Sequence, residues 1–257
     1  MARRSHHYLD RVLRRRSLRR WSLAARNAET AELNDLRLDL DEARSLRQHL
    51  DKIIFVAESR LAEPRIGSTT FERPDGTDWS WRPDLWRGPL AQKGKASIEN
   101  RTPLGDDVTL FHDSTICELT ARQLRNQGIS DLSPFSLKLD TFRFPGSFLS
   151  LVIDMPEESC QGLKRRHIFR LSVTLELEHP IEVFARLNIR HGPNTEQIVR
   201  ELPKGEAERF VEFDLAYSKL NEKRVEAMWV DLIFDKPVMN EIVVRDLTFS
   251  RYPRAEL

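Results

Sequence analysis

Between Phe169 and Ile189 the side chains alternate with a period of two, a rhythm that a helix cannot bury on one face. Phe169, Leu171, Val173, Leu175 and Leu177 alternate with Arg170, Ser172, Thr174, Glu176 and Glu178. After His179-Pro180, residues Ile181, Val183, Ala185, Leu187 and Ile189 alternate with Glu182, Phe184, Arg186, Asn188 and Arg190. Each run reads as an antiparallel strand with one dry and one wet face. The turns Gly192-Pro193-Asn194, Pro203-Lys204-Gly205 and Asp235-Lys236-Pro237 bound further strands near 196–202, 209–217, 225–235 and 242–251. Upstream, Val108–His112 is a short candidate strand, and the polar stretch Glu118–Gln127 suggests a helical turn. Leu137 and Leu139 alternate, then Phe142 and Phe144 alternate on the opposite parity, which predicts a β-bulge at Asp140-Thr141. Pro145-Gly146 then turns the chain into Phe148–Asp154. No helices that could build a parallel sheet separate these strands, so the expectation for residues 108–257 is mainly β, an antiparallel β-sandwich or jelly roll.

Before the sandwich the rhythm is different. From 29 to 63, Leu33, Leu36, Leu40, Ala43, Arg47, Leu50, Ile54, Ala57 and Leu61 recur at spacings of three and four, an a/d heptad closed by Pro64. This predicts a long N-terminal α-helix of ~50 Å. A rod of that length leaves its leucine stripe wet unless it forms a coiled coil in a homo-oligomer or docks on the body. Residues 1–28 form a basic arm. Positions 1–26 hold nine arginines and one acid, Asp10, while the whole chain carries only +1. The remainder is therefore acidic, at −7. Arg14, Arg15 and Arg16 interrupt the apolar stripe of the arm, leaving open a flexible, solvated segment or a basic helix on an anionic surface.

Residues 64–107 read as an extended linker or strap rich in Pro, Gly, Ser and Thr. Trp79, Trp81 and Trp86 fall within eight residues there. Buried, each ring stabilises by ~2–3 kcal/mol, so the segment is expected to strap across the sandwich, with an exposed stacking platform as the other reading.

Several phrases carry a resemblance: Arg186–Gln197, Phe213-Asp214-Leu215-Ala216-Tyr217, Arg245–Ser250 and the opening Arg3–Leu9. They are similar to an alphaproteobacterial family known only as a domain of unknown function, across essentially the whole chain. That resemblance implies a bacterial source and no assigned activity. The β half also resembles galactose-binding-like jelly rolls and carbohydrate-binding modules, whose last strand carries an acid before an apolar residue, as Asp246-Leu247 does.

The ligand-binding candidates are on the wet side of the Ile181–Ile189 strand and its following loop: Arg186, Asn188, Arg190, His191, Asn194 and Gln197. Guanidinium forks suit carboxylates, amides serve hydroxyls as donor and acceptor, and Phe184 or Trp229 could supply a ring. A solvated face of cross-strand ion pairs is the plainer alternative. Arg14, Arg15, Arg16, Arg19 and Arg20 are the candidates for an anionic surface. Asp106, Asp107, His112 and Asp113 bring acids and an imidazole close in sequence, without the spacing of a catalytic or cation site. No zinc spacing, phosphate loop or nucleophile elbow occurs, so neither metal nor cofactor is expected. The two cysteines, Cys117 and Cys160, fit packed thiols of a reducing compartment. The longest apolar run, Ile53–Ala57, is far short of the ~20 residues of a membrane span.

The expected function is non-enzymatic: a binding or assembly protein whose jelly roll recognises a glycan, an envelope component or a protein. It is expected in the cytoplasm, peripheral at the inner membrane. A nucleic-acid-binding protein using the arginine arm and a polysaccharide-acting enzyme stay open as alternatives.

Overall fold

The computed structural model describes residues 3–61, 71–116, 118–128 and 131–254, with side chains of the helical part given for 15–57. The side chains of Arg14 and Leu61, the first part of the strap and Cys117 lie outside the described residues. The chain divides into two compact units, Met1–Ile53 and Ile54–Leu257.

The basic segment is helical, α1 (Arg3–Asn27), rather than a loose arm. Arginine is a good helix former, so interrupting the apolar stripe does not end the helix. A turn, with the Thr30 amide donating to Asn27 O at 3.0 Å, leads into α2 (Leu33–Leu61). Arg20 reaches back from α1 to Glu42 of α2, with Nη1 2.9 Å from Oε1, and lies 3.9 Å from Asp39. Leu33, Leu40 and Leu50 of the heptad stripe remain exposed.

The second unit carries thirteen strands among its described residues. In chain order they begin with β1 (Trp79–Trp81), β2 (Gly94–Ala96), β3 (Thr102–Pro103), β4 (Val108–His112), β5 (Leu119–Arg125), β6 (Phe135–Thr141) and β7 (Phe148–Asp154). There follow β8 (His167–Leu177), β9 (Val183–His191), β10 (Asn194–Glu201), β11 (Glu208–Asp214), β12 (Val225–Asp235) and β13 (Asn240–Pro253). A seven-stranded antiparallel sheet runs β11-β8-β13-β6-β5-β2, with β1 paired to the far half of β13. A six-stranded antiparallel sheet runs β10-β9-β12-β7-β4-β3. The two inner faces pack Phe169, Leu171 and Phe249 on one side and Leu187, Val230 and Leu232 on the other, all fully buried.

Two local expectations need correction. Glu118–Gln127 is not a helical turn but contains β5, where Leu119, Ala121 and Gln123 point inward. A glutamine in an inward slot conceals the period. Its amide donates to Leu85 O and Gly88 O at 2.6 and 2.8 Å and accepts from the Leu90 amide at 2.7 Å. The bulge expected at Asp140-Thr141 is likewise absent, because β6 ends at Thr141 in regular register with β13. Phe142 is exposed, and Phe144 returns to the core through the connection. The register shift that matters lies in β13 between Val244 and Asp246, opposite β8. It keeps Ile242 and Val244 inward before the bulge and Leu247 and Phe249 inward after it, so Asp246 and Thr248 face out.

The tryptophan segment is fastened to this sheet. Trp79 and Trp81 stack on Phe169 and Phe249, with ring centroids 5.9 Å apart in each pair. Trp86 enters from α3 (Asp84–Arg87), is fully buried, and donates Nε1–H to Val244 O at 2.9 Å. Between them Arg82 grips Asp246 in a two-pronged pair of 2.8 and 2.7 Å.

Candidate functional site

The outer face of the seven-stranded sheet places three adjacent strands, β13, β8 and β11, side by side. Their registers set the outward residues in rows. Ser250 lies opposite Arg170 and Glu212, Thr248 opposite Ser172 and Phe210, and Asp246 opposite Thr174 and Glu208. With strand spacing near 4.8 Å and a rise of about 3.3 Å per residue, these rows span roughly 10 by 13 Å. That is the footprint of a small oligosaccharide or a short peptide.

All of these residues except Ser250 and Glu212 line a cavity of ≈ 460 Å³, which Phe71–Pro74, Leu132, Glu206 and Arg209 complete. A second cavity of ≈ 350 Å³ shares Leu132, Thr174, Glu208 and Asp246 with it and extends the trough towards Asn126 and Arg245.

The groups differ in how tightly they are held. Asp246 is fixed by Arg82 and also accepts from the Leu247 amide at 2.8 Å. Arg170 donates Nε–H to Glu212 at 3.0 Å and lies over the Phe210 ring, 4.1 Å from its centroid. The Tyr252 hydroxyl also donates to Glu212. Burial, and then that bond to a carboxylate, push the Tyr252 phenol up to about 12. Burial works to raise the Glu212 pKa, but donation from Tyr252 and Arg170 outweighs it and holds the carboxyl below its ordinary range. By contrast, the hydroxyls of Ser172, Thr174 and Thr248 have no hydrogen-bond partner among the described residues, and Phe210 is 52% exposed. The trough therefore combines fixed charges with unpartnered hydroxyls, half-buried at Ser172 and Thr174 and buried at Thr248, and a presented ring. Such a set recognises polyhydroxylated molecules through hydrogen bonds while the ring covers an apolar sugar face.

The ligand residues expected from the sequence lie elsewhere. Arg186, Asn188 and Arg190 are on the outer face of the six-stranded sheet, on the same side as Phe184 and Trp229. Asp231 accepts from Arg186 Nε at 2.7 Å and from Asn188 Nδ2 at 2.9 Å, while Gln197 Nε2 donates to Asn188 Oδ1 at 2.9 Å. Asn188, expected to be wet, is 1% exposed because these neighbours close over it. His191 falls on the inward parity and is buried, its Nδ1 3.4 Å from the Asn221 amide. Asn194 is exposed at the β9–β10 turn, and Arg190 pairs with Glu226 at 3.2 Å. Nearby, burial and the charge of Asp231 raise the Asp154 pKa.

On α1, Arg15, Arg16 and Arg19 are exposed, while Arg20 is engaged by Glu42. The loop acids serve the backbone: Asp107 accepts from the Asp84 amide at 3.0 Å, and Asp113 from Ser147 N at 2.8 Å and Phe148 N at 3.1 Å. No group of His, Cys, Asp or Glu able to hold a metal occurs among the described residues. Cys160 is a free, half-buried thiol whose pKa burial raises.

The trough itself was within reach of sequence reasoning. Arg170, Ser172 and Thr174 are the wet set of the β8 run, and Asp246 is the acid that precedes an apolar residue in the last strand. What the sequence does not show is which wet face is walled into a trough.

A family model described as "Family of unknown function (DUF6478)" matches residues 1–257. No curated protein matches the chain. Among solved structures, the chain is similar to the enzymatically active domain of Bacteriophage CBA120 tailspike protein 4, at 10% identity and TM-score 0.40 over 60% of this chain and 21% of that one. It is also similar to a family 11 carbohydrate-binding module from Clostridium thermocellum, at 9% identity and TM-score 0.38 over 65% of this chain and 100% of that one. The CBM22-1 xylan-binding domain from Paenibacillus barcinonensis Xyn10C matches at 9% identity and TM-score 0.35, over 63% and 94% respectively.

Proposed function

We infer the function of this chain, which belongs to the family of unknown function DUF6478, from its own surfaces: it is a non-enzymatic protein that binds a glycan in the trough of the seven-stranded sheet. One observation carries this reading. Three hydroxyls without a partner among the described residues, the half-buried Ser172 and Thr174 and the buried Thr248, lie in register between the Arg82-fixed carboxylate of Asp246 and the exposed ring of Phe210. A sugar offers each of these a partner: donors and acceptors for the hydroxyls, and axial C–H groups for the ring.

The remaining parts of the chain serve assembly and location. The exposed stripe of α2 joins copies of the chain, the arginines Arg14, Arg15, Arg16, Arg19 and Arg20 hold α1 to an anionic surface, and the protein works on the cytoplasmic side of the inner membrane.

The test of the glycan reading is calorimetric titration of the full chain with a panel of neutral and uronic-acid tetrasaccharides. Phe210→Ala should weaken binding roughly five- to tenfold, and Ser172→Ala about fivefold, both with an unaltered melting temperature. A panel that shows no binding overturns the reading, as does a ligand whose affinity ignores both substitutions.

A further inference from the structure

The loops at one end of the sandwich, where β8 begins and β9, β11 and β13 finish, collect positive charge on an otherwise acidic body. They are tied together by short bonds. The Arg165 amide donates to Glu222 at 2.7 Å and its guanidinium to Ala216 O at 2.7 Å. The Gly192 amide donates to Arg224 O at 3.1 Å, and the Arg254 amide to Arg166 O at 2.8 Å. Segments 164–166, 190–196, 214–226 and residue 254 together hold eight cations against four acids.

Those acids are already committed. Asp214 pairs with Arg254, Glu226 with Arg190, Glu222 with the Arg165 amide and Glu196 with the Lys219 amide. Lys164, Arg166, Lys219, Lys223 and Arg224 are exposed and have no ion-pair partner among the described residues. Glu157 and Glu158 border the patch beside the start of β12, and Asp78 borders it at the start of β8, where it pairs with Arg251 at 2.8 Å and lies 3.4 Å from His167. In the same cap Tyr217 is 81% exposed, with the Arg254 guanidinium 5.7 Å from its ring centroid. Residues 27–257 carry −7 in total, so a net +4 in these loops is a local reversal of sign.

We propose that this basic cap is a docking surface for an anionic phospholipid membrane. The free cations come from separate loops at one end of the sandwich and do not follow a strand or groove. A two-dimensional array of charge suits a plane of headgroups better than a linear polyanion. Tyrosine, like tryptophan, is enriched in the headgroup layer, with its ring in the boundary and its hydroxyl wet. The proposal is independent of the glycan reading, since no cap residue lines the trough.

The experiment is co-sedimentation of the full chain with phosphatidylglycerol-containing vesicles and with purely zwitterionic ones, at low and physiological ionic strength. Each cation near an acidic surface is worth about fivefold in partitioning, so the triple variant Lys219→Glu, Lys223→Glu, Arg224→Glu should bind acidic vesicles at least about a hundredfold more weakly. That loss should also appear in a chain whose helical arginines Arg15, Arg16, Arg19 and Arg20 are changed to Ala, which separates the cap from α1. Tyr217→Ala should weaken binding in both backgrounds, and circular dichroism should be unchanged throughout. Three results overturn the proposal: equal binding to zwitterionic vesicles, acidic-vesicle binding indifferent to the triple variant, or binding to single-stranded DNA but not to vesicles.

Discussion

Breaking the Arg82–Asp246 pair is the sharpest perturbation of the link between the strap and the trough. The Arg82 side chain is 3% exposed and that of Asp246 16%, with contacts of 2.8 and 2.7 Å. Arg82→Met keeps much of the stem and removes both prongs, leaving the carboxylate with the Leu247 amide as its remaining donor of those described. Removing one member of a buried pair leaves an uncompensated charge and costs about 3–5 kcal/mol. In urea, with a slope near 2–3 kcal/mol per molar, the midpoint should fall by roughly 1–2 M. The double variant Arg82→Met, Asp246→Leu removes both charges together, so it should recover roughly half or more of that loss. The assay is equilibrium denaturation of the full chain followed by tryptophan fluorescence, since Trp79, Trp81 and Trp86 report on the strap. A single-substitution cost below about 1 kcal/mol, the value of an exposed pair, would refute the claim that this bridge is buried and fastens the strap.

Other outcomes follow from the same contacts. In Tyr252 the folded-state pKa, about 12, lies above the ordinary 10, so burial of the neutral phenol, together with its bond to Glu212, contributes stability that is present below about pH 10. That stability should be lost as pH rises towards 12, and Tyr252→Phe should remove a phenolate step near 12 in an ultraviolet titration. Gln123→Ala strips partners from Leu85 O, Gly88 O and the Leu90 amide, which should cost about 3 kcal/mol and accelerate hydrogen exchange at Leu90. If α2 joins copies of the chain, Leu40→Glu with Leu50→Glu should yield a monomer in light scattering, while unchanged mass would exclude that stripe as the interface.

The sandwich was legible wherever apolar residues alone fill the inward slots. Phe169–Leu177 and Ile181–Ile189 do so, and their strands are β8 and β9. A polar residue that takes such a slot and finds its partners far along the chain hides the strand. Gln123 is the example, bonded to residues 33 to 38 positions earlier. Alternation also misplaces the bulge, because the change of parity at Phe142 comes from a strand ending, whereas the true shift in β13 leaves no break in Val243–Phe249 that composition reveals. For the site, alternation gives both strands a wet face, and the amides and guanidinium groups from Arg186 to Gln197 point to the wrong one. One is closed upon itself by Asp231, Asn188 and Gln197, and the other is walled by Phe71–Pro74 and Glu206–Phe210 into a trough. That difference arises from partners on neighbouring strands in one sheet and from the segments flanking the other, and no local pattern encodes it.

Amide chemical-shift mapping of the isotopically labelled chain during titration with a bound tetrasaccharide distinguishes the two faces in one experiment. The account predicts shifts at Ser172, Thr174, Phe210 and Thr248. Shifts gathered instead around Arg186, Trp229 and Gln197, with the β8 and β11 amides unmoved, would contradict it.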